Sequence, residues 1–140
     1  MRFVSVIPSD EDLVLMAKAA RENAYAPYSH YRVGAALLAD DGEVFTGCNV
    51  ENASYGLTNC AERTALFKAV SEGKRDFRKI AISLKGVGAP CGACRQALYE
   101  FAPDLVVLLG NVEGKLVDQI KLKKLLPIAF GPKQLKDEEV

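Results

Sequence analysis

Two hydrophobic periods alternate along the chain. Leu13, Met16, Ala17 and Ala20 recur at helical spacing behind Ser9, Asp10, Glu11 and Asp12. Ser9 suits a helix cap, and the three acidic residues suit the positive end of the helix dipole. This helix is expected to fade before Ala26-Pro27-Tyr28-Ser29. Tyr31 to Ala39 then reads as a strand and Glu43 to Cys48 as its partner, with hairpin-turn chemistry at Asp40-Asp41-Gly42 between them. The stretch from Asn49 to Gly56 is polar and loop-like. A second helix fits Cys60 to Glu72 and stops at Gly73. Ile80 to Leu84 is a short apolar strand, Cys91 to Phe101 a third helix, and Asp104 to Leu109 a buried strand. Asn111-Val112-Glu113-Gly114 turns into a last strand at Lys115 to Asp118, and a short helix covers Lys121 to Leu126 before Pro127. Lys133 to Val140 are mostly polar and are expected to fray.

A leading hairpin followed by two strand-helix crossovers predicts an α/β fold. The expected architecture is a three-layer α-β-α domain with a mixed sheet of about five strands. No repeat, low-complexity tract or Pro/Gly/Ser linker divides the chain. Residues 1–140 therefore read as one domain, with 1–8 and 133–140 peripheral. Both helices that begin with a cysteine are expected to start near one edge of the sheet.

Composition narrows the classes. At 140 residues the chain can bury roughly two-thirds of its surface and needs no disulfide staples. Hydrophobic residues make up 49% and charged residues 26%, an ordinary globular balance. No apolar run approaches the roughly 20 residues that span a bilayer, so no membrane role is expected. Eighteen basic and eighteen acidic residues cancel, with no block of like charge, which disfavours a nucleic-acid polymer as partner. The segment Met1 to Pro8 lacks the long apolar core and cleavage site of a signal peptide. Four cysteines then point to metal or catalysis in a reducing, cytoplasmic setting.

The candidate chemistry lies in two segments, Cys60-Ala61-Glu62 and Pro90-Cys91-Gly92-Ala93-Cys94. Three thiolates can hold one zinc ion and leave its fourth position open, the mark of a catalytic site. A carboxylate beside such a site can move protons. Cys91 and Cys94 share one face at a helix start, where thiolates are favoured. Each half also has a plainer reading. Asn59 and Glu62 fit a capping box. Cys91-x-x-Cys94 alone fits a redox pair or half a structural zinc site, for which Cys48 is the fourth candidate. Cys48 equally fits a small core residue at a strand end. Zinc with three thiolates carries a formal charge of minus one, so a compensating cation is expected. Arg63, three residues after Cys60, is assigned to donate to the thiolates, and Arg95 is the other nearby cation.

Joined, the two halves match the first ligand-x-Glu and Pro-Cys-x-x-Cys pattern of zinc-dependent base deaminases, in which the Glu is the proton carrier. Over Tyr25 to about Phe130 the chain resembles the small homotetrameric cytidine deaminases. The resemblance rests on Tyr25-Ala26-Pro27-Tyr28-Ser29, Val33-Gly34-Ala35-Ala36, Gly47-Cys48-Asn49-Val50-Glu51-Asn52-Ala53, Cys60-Ala61-Glu62-Arg63-Thr64-Ala65 and Pro90-Cys91-Gly92-Ala93-Cys94-Arg95-Gln96. Leu125-Leu126-Pro127 with Ala129-Phe130 completes it.

The resemblance implies a cytidine deaminase-like fold and hydrolytic deamination of cytidine and deoxycytidine in pyrimidine salvage. It implies one Zn2+ per chain on Cys60, Cys91 and Cys94, with Glu62 carrying protons to ring N3 and the leaving amine. Asn49 and Glu51 would hold the ribose hydroxyls, with Val50 between them, although the same residues fit a polar turn. Ala61 would present backbone groups to the pyrimidine edge, and Tyr31 and Phe130 would line the pocket. Phe130 and the loop around Tyr55 would serve a neighbouring subunit's site in a homotetramer. Tyr31 stands where phenylalanine is more usual, which adds a hydroxyl near the nucleoside. Ile128 stands where a small residue is common. The residues before Ser9 match nothing. The competing readings are deamination of another cytosine-bearing small molecule, a non-catalytic four-cysteine zinc module, and RNA editing, which the charge balance disfavours.

Overall fold

The computed structural model describes residues 6–137. Ser9 caps the first helix, α1 (Asp10–Arg21). Its hydroxyl accepts from the Asp12 amide at 3.1 Å, and its own amide donates to the Asp12 carboxylate at 3.2 Å. Two otherwise orphaned donors are thereby satisfied.

Five strands follow: β1 (Gly34–Ala39), β2 (Val44–Cys48), β3 (Phe77–Ser83), β4 (Val106–Gly110) and β5 (Leu116–Lys121). They form one sheet in the order β2-β1-β3-β4-β5. β3 and β4 are parallel and the other neighbouring pairs antiparallel. The expected hairpin is β1–β2. The two crossovers are α2 (Ala61–Ser71), between β2 and β3, and α3 (Gly92–Phe101), between β3 and β4. Two short helices, α4 (Leu122–Leu125) and α5 (Pro132–Asp137), end the described chain.

Both faces of β1 are covered, and all six of its residues are buried. Side chains alternate across the pleat. Ala36 and Leu38 join Ala81 and Leu108 under α1, against Leu13, Val14 and Ala17. Leu37, Ile80, Ile82 and Val107 face the other way, toward Ala65 and Leu66 of α2 and Leu98 of α3. The result is the expected three-layer arrangement.

Two glycines set how closely the layers approach. A Cβ at Gly34 would stand 1.9 Å from the Ala17 carbonyl of α1. One at Gly47 would stand 2.5 Å from the Ala65 nitrogen and 2.6 Å from the Ala61 oxygen of α2. β2 and β3 run in the same direction, so the loops that follow them leave from one edge of the sheet. Those loops end at Cys60 and Cys91, at the carboxyl ends of the strands where α/β sites form.

Four expectations are corrected, one being the third strand, which runs from Phe77 to Ser83 and not from Ile80 to Leu84. The first strand starts at Gly34 and not Tyr31: the backbone of Tyr31 and Val33 bonds to the Asn49 side chain and that of Arg32 to Arg21, with one backbone bond, from Asn49 to Val33. The last strand reaches Lys121. The C-terminal segment is helical from Pro132 to Asp137. Pro132 suits the first helical position, and the Gln134 side chain accepts from the Gly131 amide at 2.8 Å. Residues 1–5 and 138–140 lie outside the described range.

Candidate active site

Cys60 is the N-cap of α2 and Cys91 the N-cap of α3, both with extended backbone. Cys94 lies in the first turn of α3 and is fully buried. Two helix starts, each favouring negative charge, therefore meet. The three sulfurs lie within 4.8 Å of one another, with Cys60 and Cys91 Sγ 3.7 Å apart. Thiolates on a tetrahedral zinc stand about 3.8 Å apart, given Zn–S bonds of about 2.3 Å. The trio therefore fits one zinc ion. Cys48, half-buried at the end of β2, is outside the trio, and burial raises its pKa. The trio thus provides three thiols among the described residues, which removes the basis of the four-cysteine module.

Electrostatics within the trio are asymmetric. The Cys94 thiol donates toward Cys60, and Arg63 adds to this, so Cys60 is lowered to about 5. Cys94 is pushed up, first by that same bond to Cys60 and then by burial. One thiolate thus stands ready, and a second thiol must release its proton when a metal binds. Arg63 Nη2 donates to Cys60 Sγ at 3.5 Å, while its Nε is buried with no hydrogen-bond partner among the described residues. Arg95 turns elsewhere. Its Nε donates to the Pro90 carbonyl at 2.7 Å and its Nη1 to the Leu125 carbonyl at 2.9 Å.

Glu62 is only 5% exposed. The capping box it could have formed is absent: Cys60 is the cap, and Asn59 donates to Thr64 Oγ1 at 3.2 Å. Burial raises Glu62 to about 7, with the Cys60 charge adding to the rise. A carboxyl poised there can both take and give a proton at neutral pH. Glu62, Cys60, Ala61 and Cys91 line a cavity of about 330 Å³ that also meets Tyr31, Asn49 and Glu51.

The family model described as "Cytidine and deoxycytidylate deaminase zinc-binding region" matches residues 7–109. The chain belongs to this deaminase family. It is 55% identical over 128 residues to the cytidine deaminase of Halalkalibacterium halodurans, covering 89% of this chain and 96% of that one. The crystal structure of cytidine deaminase from Burkholderia pseudomallei superposes with a TM-score of 0.80 at 56% identity, covering 84% and 96% of the two chains. That of Mycobacterium tuberculosis gives 0.74 at 42% identity, covering 85% and 94%.

Within this deaminase chain the expected ribose residues are already engaged. Asn49 Oδ1 accepts from the Val33 amide at 2.9 Å, and Nδ2 donates to the Tyr31 carbonyl at 2.8 Å. Each end of the amide keeps one further hydrogen-bonding position. Glu51 accepts from the amides of Tyr28 and Ser29 at 3.0 and 3.1 Å and from the Ser29 hydroxyl. That hydroxyl, followed by the two amides, holds the Glu51 carboxyl below the ordinary range.

Val50 is expected at the substrate site beside Asn49 and Glu51. Its side chain is 44% exposed and outside the cavity. The segment is extended, so Asn49 and Glu51 face one way and Val50 the other, while its backbone pairs with Asn59 at 2.9 Å in both directions.

Tyr55 is 74% exposed and its ring lies 5.8 Å from that of Tyr28. Phe130 is 58% exposed in a separate hollow with Tyr99 and Ile128, and its carbonyl accepts from Gln96. Phe130 does not line this chain's own cavity, while Tyr55 lines an adjoining hollow that shares Ser29, Glu51 and Thr58 with it. Ser29, Thr58, Leu84 and Ala89 line the cavity without having been singled out as site residues. Leu84 carried a signal, since it ends the apolar run expected as a strand and follows β3 at the edge where α/β sites form.

Proposed function

We propose that this chain catalyses zinc-dependent hydrolysis of cytidine and deoxycytidine to uridine and deoxyuridine, releasing ammonia. The observation that carries the reading is the buried Glu62 in one cavity with a thiol trio spaced for zinc. Zinc held by Cys60, Cys91 and Cys94 would supply Lewis-acid activation of the attacking water. Glu62 takes a proton from water as its oxygen bonds to C4 of the pyrimidine. It passes that proton to ring N3, then takes the second proton from the hydroxyl on C4 as the carbonyl forms and gives it to the amine, which leaves as ammonia when the C4–N bond breaks. Its raised pKa supports that shuttle. Arg63 offsets the charge that collects on the thiolates. Ala61 presents backbone groups to the base, and Asn49 and Glu51 use their remaining positions on the ribose hydroxyls.

The active unit is a homotetramer in which Tyr55 and Phe130 complete a neighbour's cavity. Their exposure, with Leu57 and Ile128 beside them in sequence, supports this. The work is pyrimidine salvage in the cytoplasm, a setting that suits four free cysteines. No helix of the described residues is long and apolar enough to cross a membrane. Zinc per chain and the ultraviolet absorbance of cytidine test the reading together. One zinc and a steady absorbance loss are expected. A full zinc complement with no absorbance change on cytidine or deoxycytidine defeats it, and turnover of only another cytosine-bearing compound supports the competing substrate.

A further inference from the structure

The Tyr31 hydroxyl is already bonded within the chain. It donates to the Lys85 carbonyl at 2.5 Å, across 54 positions of sequence. Lys85 is the second residue of the loop between β3 and Cys91. That loop supplies Leu84 and Ala89 to the cavity wall and ends at a thiol of the trio. Its backbone is awkward. Gly86 has φ of 88° and Val87 of 54°, and a β-branched residue is a genuine outlier in the left-handed region.

Little else holds the loop. Among the described residues, no turn or loop backbone bond involves Lys85 to Pro90, and the side-chain bonds that reach it are those of Tyr31 and of Arg95 on Pro90. Arg95 therefore secures the end next to Cys91, and Tyr31 the end next to the strand. Tyr31 is itself well anchored. Its amide donates to Ser29 Oγ at 3.0 Å and its carbonyl accepts from Asn49 at 2.8 Å. One residue thus joins the ribose side of the cavity to the opposite wall.

We propose that Tyr31 is a positioning residue whose hydroxyl latches the Lys85–Ala89 loop and so shapes the nucleoside cavity. The proposal rests on the reading that this cavity takes the nucleoside. A neutral hydrogen bond of ordinary strength is at stake. Tyr31→Phe keeps the ring and removes the latch, so KM for cytidine rises about fivefold, or about 1 kcal/mol, while kcat falls less than twofold. Zinc stays at one per chain, because Arg95 still holds Pro90. Backbone amides of residues 85–89 exchange with deuterium faster in the variant holoenzyme.

An unchanged KM overturns the proposal, as does a kcat loss at constant KM or unaltered exchange over 85–89. Should the wild type fail to deaminate cytidine, the exchange comparison still decides the latch, and the failure falls on the functional reading instead.

Discussion

Gly47→Ala places the smallest possible side chain where β2 touches α2. The new Cβ would meet two backbone atoms of the helix, the Ala65 nitrogen at 2.5 Å and the Ala61 oxygen at 2.6 Å. Neither can rotate away. Ordinary contact begins near 3.4 Å, so strand and helix must part by about 0.9 Å. Overpacking of this kind costs about 1–3 kcal/mol, which lowers the melting temperature by roughly 3–10 °C in a domain of this size. The displacement falls on the first turn of the helix that carries Cys60 and Glu62, while Cys91 and Cys94 stay on α3. A misplacement near 1 Å can cost about 100-fold in rate. Thermal unfolding by circular dichroism, zinc content and cytidine turnover are measured on one preparation. A melting temperature within 1 °C of wild type together with kcat/KM within twofold would refute the reasoning, since the close approach would then be neither tight nor coupled to the site.

Cys48→Ser should keep one zinc per chain and most of the turnover, and loss of zinc would return Cys48 to the ligand set. Arg63→Ala should weaken zinc retention against a chelator by removing the donor at 3.5 Å from Cys60, and retention equal to wild type would show that the charge on the thiolates needs no such partner. In zinc-free protein, burial holds Glu62 at about 7 against an ordinary 4.5. An acid raised on folding binds more protons in the native state, so its contribution is full below 4.5 and is lost as pH rises through 7. That difference corresponds to about 3 kcal/mol. Urea midpoints should therefore fall more steeply between pH 4 and 8 in the wild type than in Glu62→Gln, and equal slopes would contradict the burial argument.

What could be read in the sequence was whatever residue type and short spacing carry. Ser9 with Asp12 specified its own cap. The unbroken apolar run from Ala35 to Ala39 marked a strand, and the structure buries it on both faces. Three thiols announced a metal site because few other uses bring them together in a chain without disulfides. Glu62 was ambiguous locally, and the fold resolved it: with Cys60 as the cap, its carboxyl turns into the cavity. Partners distant in sequence stayed hidden. Nothing near Tyr31 names Lys85, and nothing near Arg95 names Leu125, because both bonds end on backbone carbonyls that any residue offers. That Val50 faces away from Asn49 and Glu51 was also hidden, because a motif counts neighbours while an extended chain sends them to opposite sides. The C-terminal helix was missed on polarity, although Pro132 and Gln134 are start signals.

The central claim is that the thiols bind zinc while Glu62 moves protons, and Glu62→Gln separates the two. Purified variant and wild type are compared for zinc per chain and for the loss of cytidine absorbance. The variant should hold one zinc, fold as the wild type does, and lose about 100- to 10,000-fold in kcat. Wild-type turnover in the zinc-loaded variant would contradict the account.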